Sequence, residues 1–207
     1  MQFEQMVPDQ RSMIQAQFTG VTFQPNAIDV QDEPLYDTNT FAAGATIANQ
    51  TSFFQSPAGK TQAQTNVKES GRLPAPQAMA VKGIRFRVVE SVLLADFIAL
   101  MNPQTGYVLD FVVGEKSYNR GPLWYYNNGG GVSGFATATD TNAYTNGRTG
   151  QPAAHLLAIN IVIDNQASFF AQLFGAATAL TLTVADDGGT GLTMQLLLAG
   201  FHARGVQ

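Results

Sequence analysis

From Val81 onward, apolar and polar residues alternate in short runs separated by turn-forming residues. Side chains along a strand point to opposite faces in turn, so a two-residue period marks a half-buried strand. In Val81–Leu94 this puts Lys82, Ile84, Phe86 and Val88 on one face, and Val81, Gly83, Arg85, Arg87 and Val89 on the other. Ile84, Phe86 and Val88 are the natural core set. Gly106–Val113 repeats the pattern with Tyr107, Leu109, Phe111 and Val113, and Gly114-Glu115-Lys116 reads as a turn. His155–Asp164, Ala179–Ala185 and Leu192–His202 are further strands. Asp186-Asp187-Gly188-Gly189 reads as a hairpin turn that would pair the last two of them antiparallel.

Helical spacing is confined to short pieces. Ser91 can cap a helix over Val92–Met101, stopped by Asn102-Pro103. Phe169, Phe170, Leu173 and Phe174 predict a second short helix within Asn165–Gly175. Tyr118–Gly134 reads as a long loop holding an aromatic cluster and a glycine run, and residues 136–152 as an exposed polar excursion. Many strands, glycine-rich turns and short helices imply an all-β antiparallel sandwich or barrel. The long excursions between strands favour a single jelly roll over a tight barrel.

Residues 1–80 read differently. They are rich in Gln and Thr, with prolines at 8, 25, 34, 57, 74 and 76. Asp9–Phe18 has helical spacing, and Gly20–Phe23 and Ala45–Phe54 are strand-like. This region is poorly provided with core of its own. The division expected is an extended N-terminal arm over 1–72, ordered by its neighbours, and a β-sandwich over 73–207.

Composition narrows the function. Hydrophobic residues make up 45% of the 207, enough for a core, but only 13% are charged against a usual ~25%. The surface must therefore be built largely from Gln, Asn, Thr and Ser. Such a surface is easily desolvated, which suits a chain packed against others. The absence of cysteine excludes disulfides, thiolate metal sites and cysteine nucleophiles. No apolar stretch is long enough to span a bilayer, so membrane insertion is not expected. The start, MQFEQMVPDQ, has no apolar run of a secretory signal.

The candidates for chemistry do not converge. His155 and His202 lack zinc-ligand spacing, and Asp96, Asp110, Asp140 and Asp164 are scattered, with Asp110 and Asp164 expected to face solvent or end strands. Gly129–Gly131 lacks the Lys-Ser/Thr of a phosphate loop, and Asp186-Asp187 lacks the alternating ligands of a calcium loop. No catalytic residue, metal or cofactor is expected. A hydrolase built on two of the scattered acids is the weakest of the readings considered. Trp124, Tyr125 and Tyr126 form a candidate interface or stacking cluster.

Charge is segregated. Residues 1–40 carry Glu4, Asp9, Asp29, Asp32, Glu33 and Asp37 against Arg11 alone; residues 60–90 carry Lys60, Lys68, Arg72, Lys82, Arg85 and Arg87 against Glu69 and Glu90. Asp29, Asp32 and Glu33 could thus pair with Arg85 and Arg87 between copies, which would set register and orientation. Pairing within one chain is the competing reading. The net charge of −4 argues against specific nucleic-acid binding.

The segments LPAPQAMAVKGIRFRV (73–88), GYVLDFVVGEKSYNRGPLWYYNNGGGVSG (106–134) and LLLAGFHARGVQ (196–207) resemble structural proteins of bacteriophage particles. The resemblance covers the last 135 residues or so and rests on style rather than a signature motif. It implies a single jelly-roll protein, either a capsid shell subunit or a cement protein decorating the shell. Such a protein would be made in the host cytoplasm, reside in the virion, and have its own copies and other virion proteins as partners. The alternative is a carbohydrate-binding β-sandwich on a tail or particle surface, stacking sugars on Trp124, Tyr125, Tyr126 and Tyr144.

Overall fold

The computed structural model describes residues 28–89, 94–126, 156–175, 179–184 and 191–205. These residues are mostly antiparallel β-sheet, arranged as two sheets on a common core. In the first sheet, β1 (Ile28–Asp32) and β2 (Leu35–Phe41) lie along one side of β11 (Leu192–Gly205). The other side of β11 pairs with β5 (Ala78–Val89), and β5 pairs with β8 (Leu156–Ile163). β1 and β2 behave as one strand interrupted at Glu33-Pro34, because Asp32 opposes Phe201 and Leu35 opposes Leu198 in unbroken register. Proline has no N–H for a ladder, and an outer strand tolerates that loss.

The second sheet has the order β4 (Gln50–Phe53), β9 (Phe169–Phe174), β6 (Val108–Val113), β7 (Lys116–Pro122). A two-residue ribbon joins β3 (Thr46–Ile47), just before β4, to β10 (Leu180–Thr181), just after β9. With β1–β2, β3–β4 and β9–β10 each counted as one strand, the described residues hold eight. Their order is 1-8-3-6 in the first sheet and 2-7-4-5 in the second.

The inward faces are as apolar as the alternation predicts. Ile84, Phe86 and Val88 of β5 meet Leu192, Met194, Leu196 and Leu198 of β11 in the core, and Leu109, Phe111, Phe169, Ala171 and Leu173 come from the second sheet. Burying a Leu or Phe contributes about 1.5–3 kcal/mol, so this layer dominates the folding energy. β5 departs from strict alternation. Its ladder to β8 shifts between Val81 and Gly83, which brings Met79 and Val81 into the core as well. Beside it, Gly200 lies so close to β5 that a Cβ there would sit 2.0 Å from the Ala80 carbonyl oxygen.

The helix α1 (Leu94–Met101) contributes Phe97 and Leu100 to the core and ends where expected. Asn102 Oδ1 accepts from the N–H groups of Gln104 and Thr105, and Pro103 cannot continue the helix. Among the described residues it is the one α-helix.

Several expectations are corrected. Asn165–Gly175 holds the strand β9, not a helix: Phe169, Ala171 and Leu173 are buried at a period of two, and β9 is paired on both sides. With Phe170 and Phe174 flanking Gln172 on its other face, apolar residues fall on both sides of the strand, and such a run has no decisive period. Tyr118–Gly134 begins not as a loop but as β7 and a 3₁₀ turn, Leu123–Tyr126. Among the described residues 179–184 of the Ala179–Ala185 stretch only β10 is strand, and it pairs with β3 rather than β11. Leu182 is in the core and Thr183 donates to Asp96 from both its N–H and its hydroxyl, which holds this segment by α1. Residues 28–72 are no separate arm, since β1 to β4 supply strands to both sheets. The Asp9–Phe18 helix, the Gly20–Phe23 strand, the Ser91 cap, the 136–152 excursion and the Asp186–Gly189 turn lie outside the described residues.

Candidate functional site

The aromatic cluster is built by the end of β7. Leu123 is buried, and its N–H donates to the Tyr107 carbonyl at 2.8 Å, which starts the 3₁₀ turn against the core. Tyr126 then folds back over β7. Its hydroxyl donates to Asn119 Oδ1, and Gly121 leaves room for the ring, since a Cβ there would sit 3.1 Å from the Tyr126 hydroxyl. Burial, with the neighbouring Tyr125 and Asp110 charges, pushes the Tyr126 phenol well above its usual range. Tyr126 is therefore a core residue.

Its two predecessors point the other way. Trp124 and Tyr125 are each 46% exposed, with ring centroids 6.3 Å apart in an edge-to-face arrangement, and Tyr118 on β7 is 50% exposed. The predicted cluster thus divides into one buried anchor and two exposed rings. Tyr144 lies outside the described residues. Exposed apolar side chains also occur on β8, the last strand of the first sheet, where Ile159 is 82% and Leu156 67% exposed. The pattern of β8 held these two residues, but periodicity alone does not tell which side of an edge strand a neighbour covers.

The expected charge partners are not brought together within the chain. Arg85 and Arg87 lie on the face of β5 opposite Ile84 and Phe86, opposed across β11 by the Tyr36 and Thr38 positions. Asp32 is four residues back along that strand, about 13 Å, and Asp29, which pairs with Arg204 in the ladder, is further still. Arg87 is exposed, whereas Arg85 Nε is enclosed with no hydrogen-bond partner. Glu33 instead shares a pocket with Lys68 and Arg72, so part of the acidic segment does meet the basic one inside a single chain.

The acids hold structure together. Asp37, on an inward position of β2, accepts from the Phe54 N–H and pairs with Lys60 Nζ, both at 2.7 Å; Lys60 also donates to Asn39 Oδ1. The Asp37 side chain is 2% exposed. This pair was not foreseen, because Asp37 breaks no apolar run that would have flagged it. Asp110 and Asp96 are buried, contrary to the expectation of a solvent-facing Asp110. Asp110 accepts from Ser117 and Asp96 from Thr183. Asp164 accepts from the next residue's N–H just past β8. Asp140, His155 and the Gly129–Gly131 run lie outside the described residues. Among the described residues no group of three or more His, Cys, Asp or Glu could hold a metal ion, and no helix is long and apolar enough to cross a membrane.

No family model, curated protein or solved structure matches the chain. What the site offers chemically is contact area: two exposed aromatic rings, an apolar outer strand, and an arginine pair away from its expected acids.

Proposed function

We propose that this chain is a structural protein of a bacteriophage virion, a single jelly roll that self-assembles in or on the icosahedral capsid as shell subunit or cement. The observation that carries the reading is the strand order 1-8-3-6 and 2-7-4-5. It is the order produced when one long antiparallel hairpin is rolled up into two facing sheets, the arrangement used by many capsid domains. The apolar Leu156 and Ile159 exposed on β8, the outer strand among the described residues, support it, since such side chains suit burial against a second chain. Arg87, which is exposed, and Arg85 on the same face of β5 suit acids from a neighbouring copy, with Asp29 and Asp32 as candidates.

Deletion of residues 1–27 leaves every described strand in place and is expected to give a folded protein that assembles more weakly. Sedimentation velocity with circular dichroism checks this. A truncated chain that assembles like the full one, or that loses its β signal, contradicts the role given to the N-terminal segment.

A second reading is favoured by one observation: the exposed Trp124–Tyr125 pair offers aromatic faces to sugar rings. Binding to a glycan array that vanishes in a folded Trp124→Ala variant would select it.

A further inference from the structure

Four buried apolar residues take no part in the common core. Val30 is 2% exposed and Ala78, Ala80 and Ala203 are 0% exposed, yet none of them packs within the cluster that joins the two sheets. The register shows why. Met79 pairs with His202 and Ile163, and Val81 with Gly200 and Ile161; Met79, Val81, Ile161 and Ile163 all face the core. Side chains alternate along a strand, so Ala78 and Ala80 on β5, Ala203 on β11 and Val30 on β1 face the other way. Ala203 lies between Val30 and Ala78, and Ala80 between Phe201 and Val162, which makes one apolar patch on the outer face of the first sheet. Ladder partners sit beside a side chain, not over it. A methyl or isopropyl group on that face is buried only when something lies across it.

We propose that residues 1–27 fold back over this patch of their own chain. The chain enters the sheet at Ile28, two residues before Val30, so these 27 residues are tethered at the patch's edge. That tether gives them a high effective concentration there, which a second copy lacks. Met13, Ile14 and Phe18, at helical spacing, give the segment an apolar side to bury. The small side chains of Ala78, Ala80 and Ala203 let it approach the sheet closely. At the rim, Lys82 Nζ lies 4.1 Å from the Phe201 ring centroid and suits Glu4 and Asp9 of the segment. The inference does not rest on the virion reading, because a protomer that never assembles would carry the same cover.

The test uses the full chain, which has no cysteine, so Thr19→Cys gives a single attachment point for a nitroxide. Spin-labelled protein carrying isotope-labelled alanine methyls is diluted into an excess of unlabelled wild type. The nitroxide is expected to erase the Ala78, Ala80 and Ala203 signals and to spare that of Ala171 in the second sheet. Adding Ile14→Asp and Phe18→Asp should restore the three signals, and an unmoved Ala171 signal verifies the fold. A second sample mixes spin-labelled copies without methyl label and methyl-labelled copies without the nitroxide; no loss is expected there. Loss in that mixture but not in the diluted sample makes a neighbour's segment the occupant and overturns the proposal. Survival of all three signals in the diluted sample, or a loss undiminished by the aspartates, overturns it too.

Discussion

The two ends of β11 make opposite use of one strand. From Leu192 to Leu198 every second side chain is fully buried against Phe86, Ile84 and the second sheet. After the irregularity at Ala199-Gly200, the ladder with β1 continues without a slip, yet His202 and Arg204 line a polar pocket. Backbone pairing is therefore shared along the whole strand, while the side-chain layer changes from hydrophobic core to charged recess. Stability is concentrated at the first end. At the second end His202 Nε2 is enclosed without a hydrogen-bond partner, and burial works against protonation of its ring.

This contrast can be broken most directly by cutting into the core half. Leu196→Ala should destabilise the fold by about 2–5 kcal/mol, from lost apolar burial and the cavity left behind, measured by urea denaturation. Next comes the buried ion pair. Asp37→Ala strands the Lys60 charge and the Phe54 N–H, and should cost about 3 kcal/mol in the same assay. Tyr126→Phe removes one hydrogen bond to Asn119 and should cost about 1 kcal/mol; an unchanged midpoint would mean that the hydroxyl does not anchor the turn.

The smallest effect belongs to the recess and depends on pH. Burial lowers the His202 pKa below its ordinary value of 6.5, and the negative charge of Glu33 opposes that shift only in part. The unfolded chain therefore takes up a proton at His202 more readily than the folded one. This contribution to stability is complete above pH 6.5 and is lost as pH falls from there through the lower folded value. His202→Gln should flatten the fall in that window and change little at pH 8. A wild-type profile parallel to that of the variant would show that His202 is not desolvated.

How much of this was legible beforehand follows the same division. Ile84-Phe86-Val88 and Tyr107-Leu109-Phe111 were readable because one face of each strand meets oil and the other water. β9 was misread because Phe170 and Phe174 put apolar side chains on its outer face as well, around Gln172, so its true period is hidden. The pairing of β10 with β3 and of β1–β2 with β11 joins segments more than 130 residues apart, and no local pattern encodes a partner at that distance. Trp124, Tyr125 and Tyr126 were grouped together, yet Tyr126 is buried and the other two are exposed; only the turn after Pro122 decides which ring faces the core. The pocket was invisible because Glu33, Lys68, Arg72 and His202 are brought together only by the register of β1 on β11 and by the path of the 66–77 segment.

The central claim is that the chain works by fitting against its own copies and other particle components. Electron cryomicroscopy of the purified full-length protein, taken from dilute to concentrated solution, tests it most directly. The account predicts closed particles of uniform size whose walls are made of this two-sheet fold, with β8 or the Trp124–Tyr125 turn buried between copies. A lone monomer at every concentration, with both of those surfaces still bare, would contradict it.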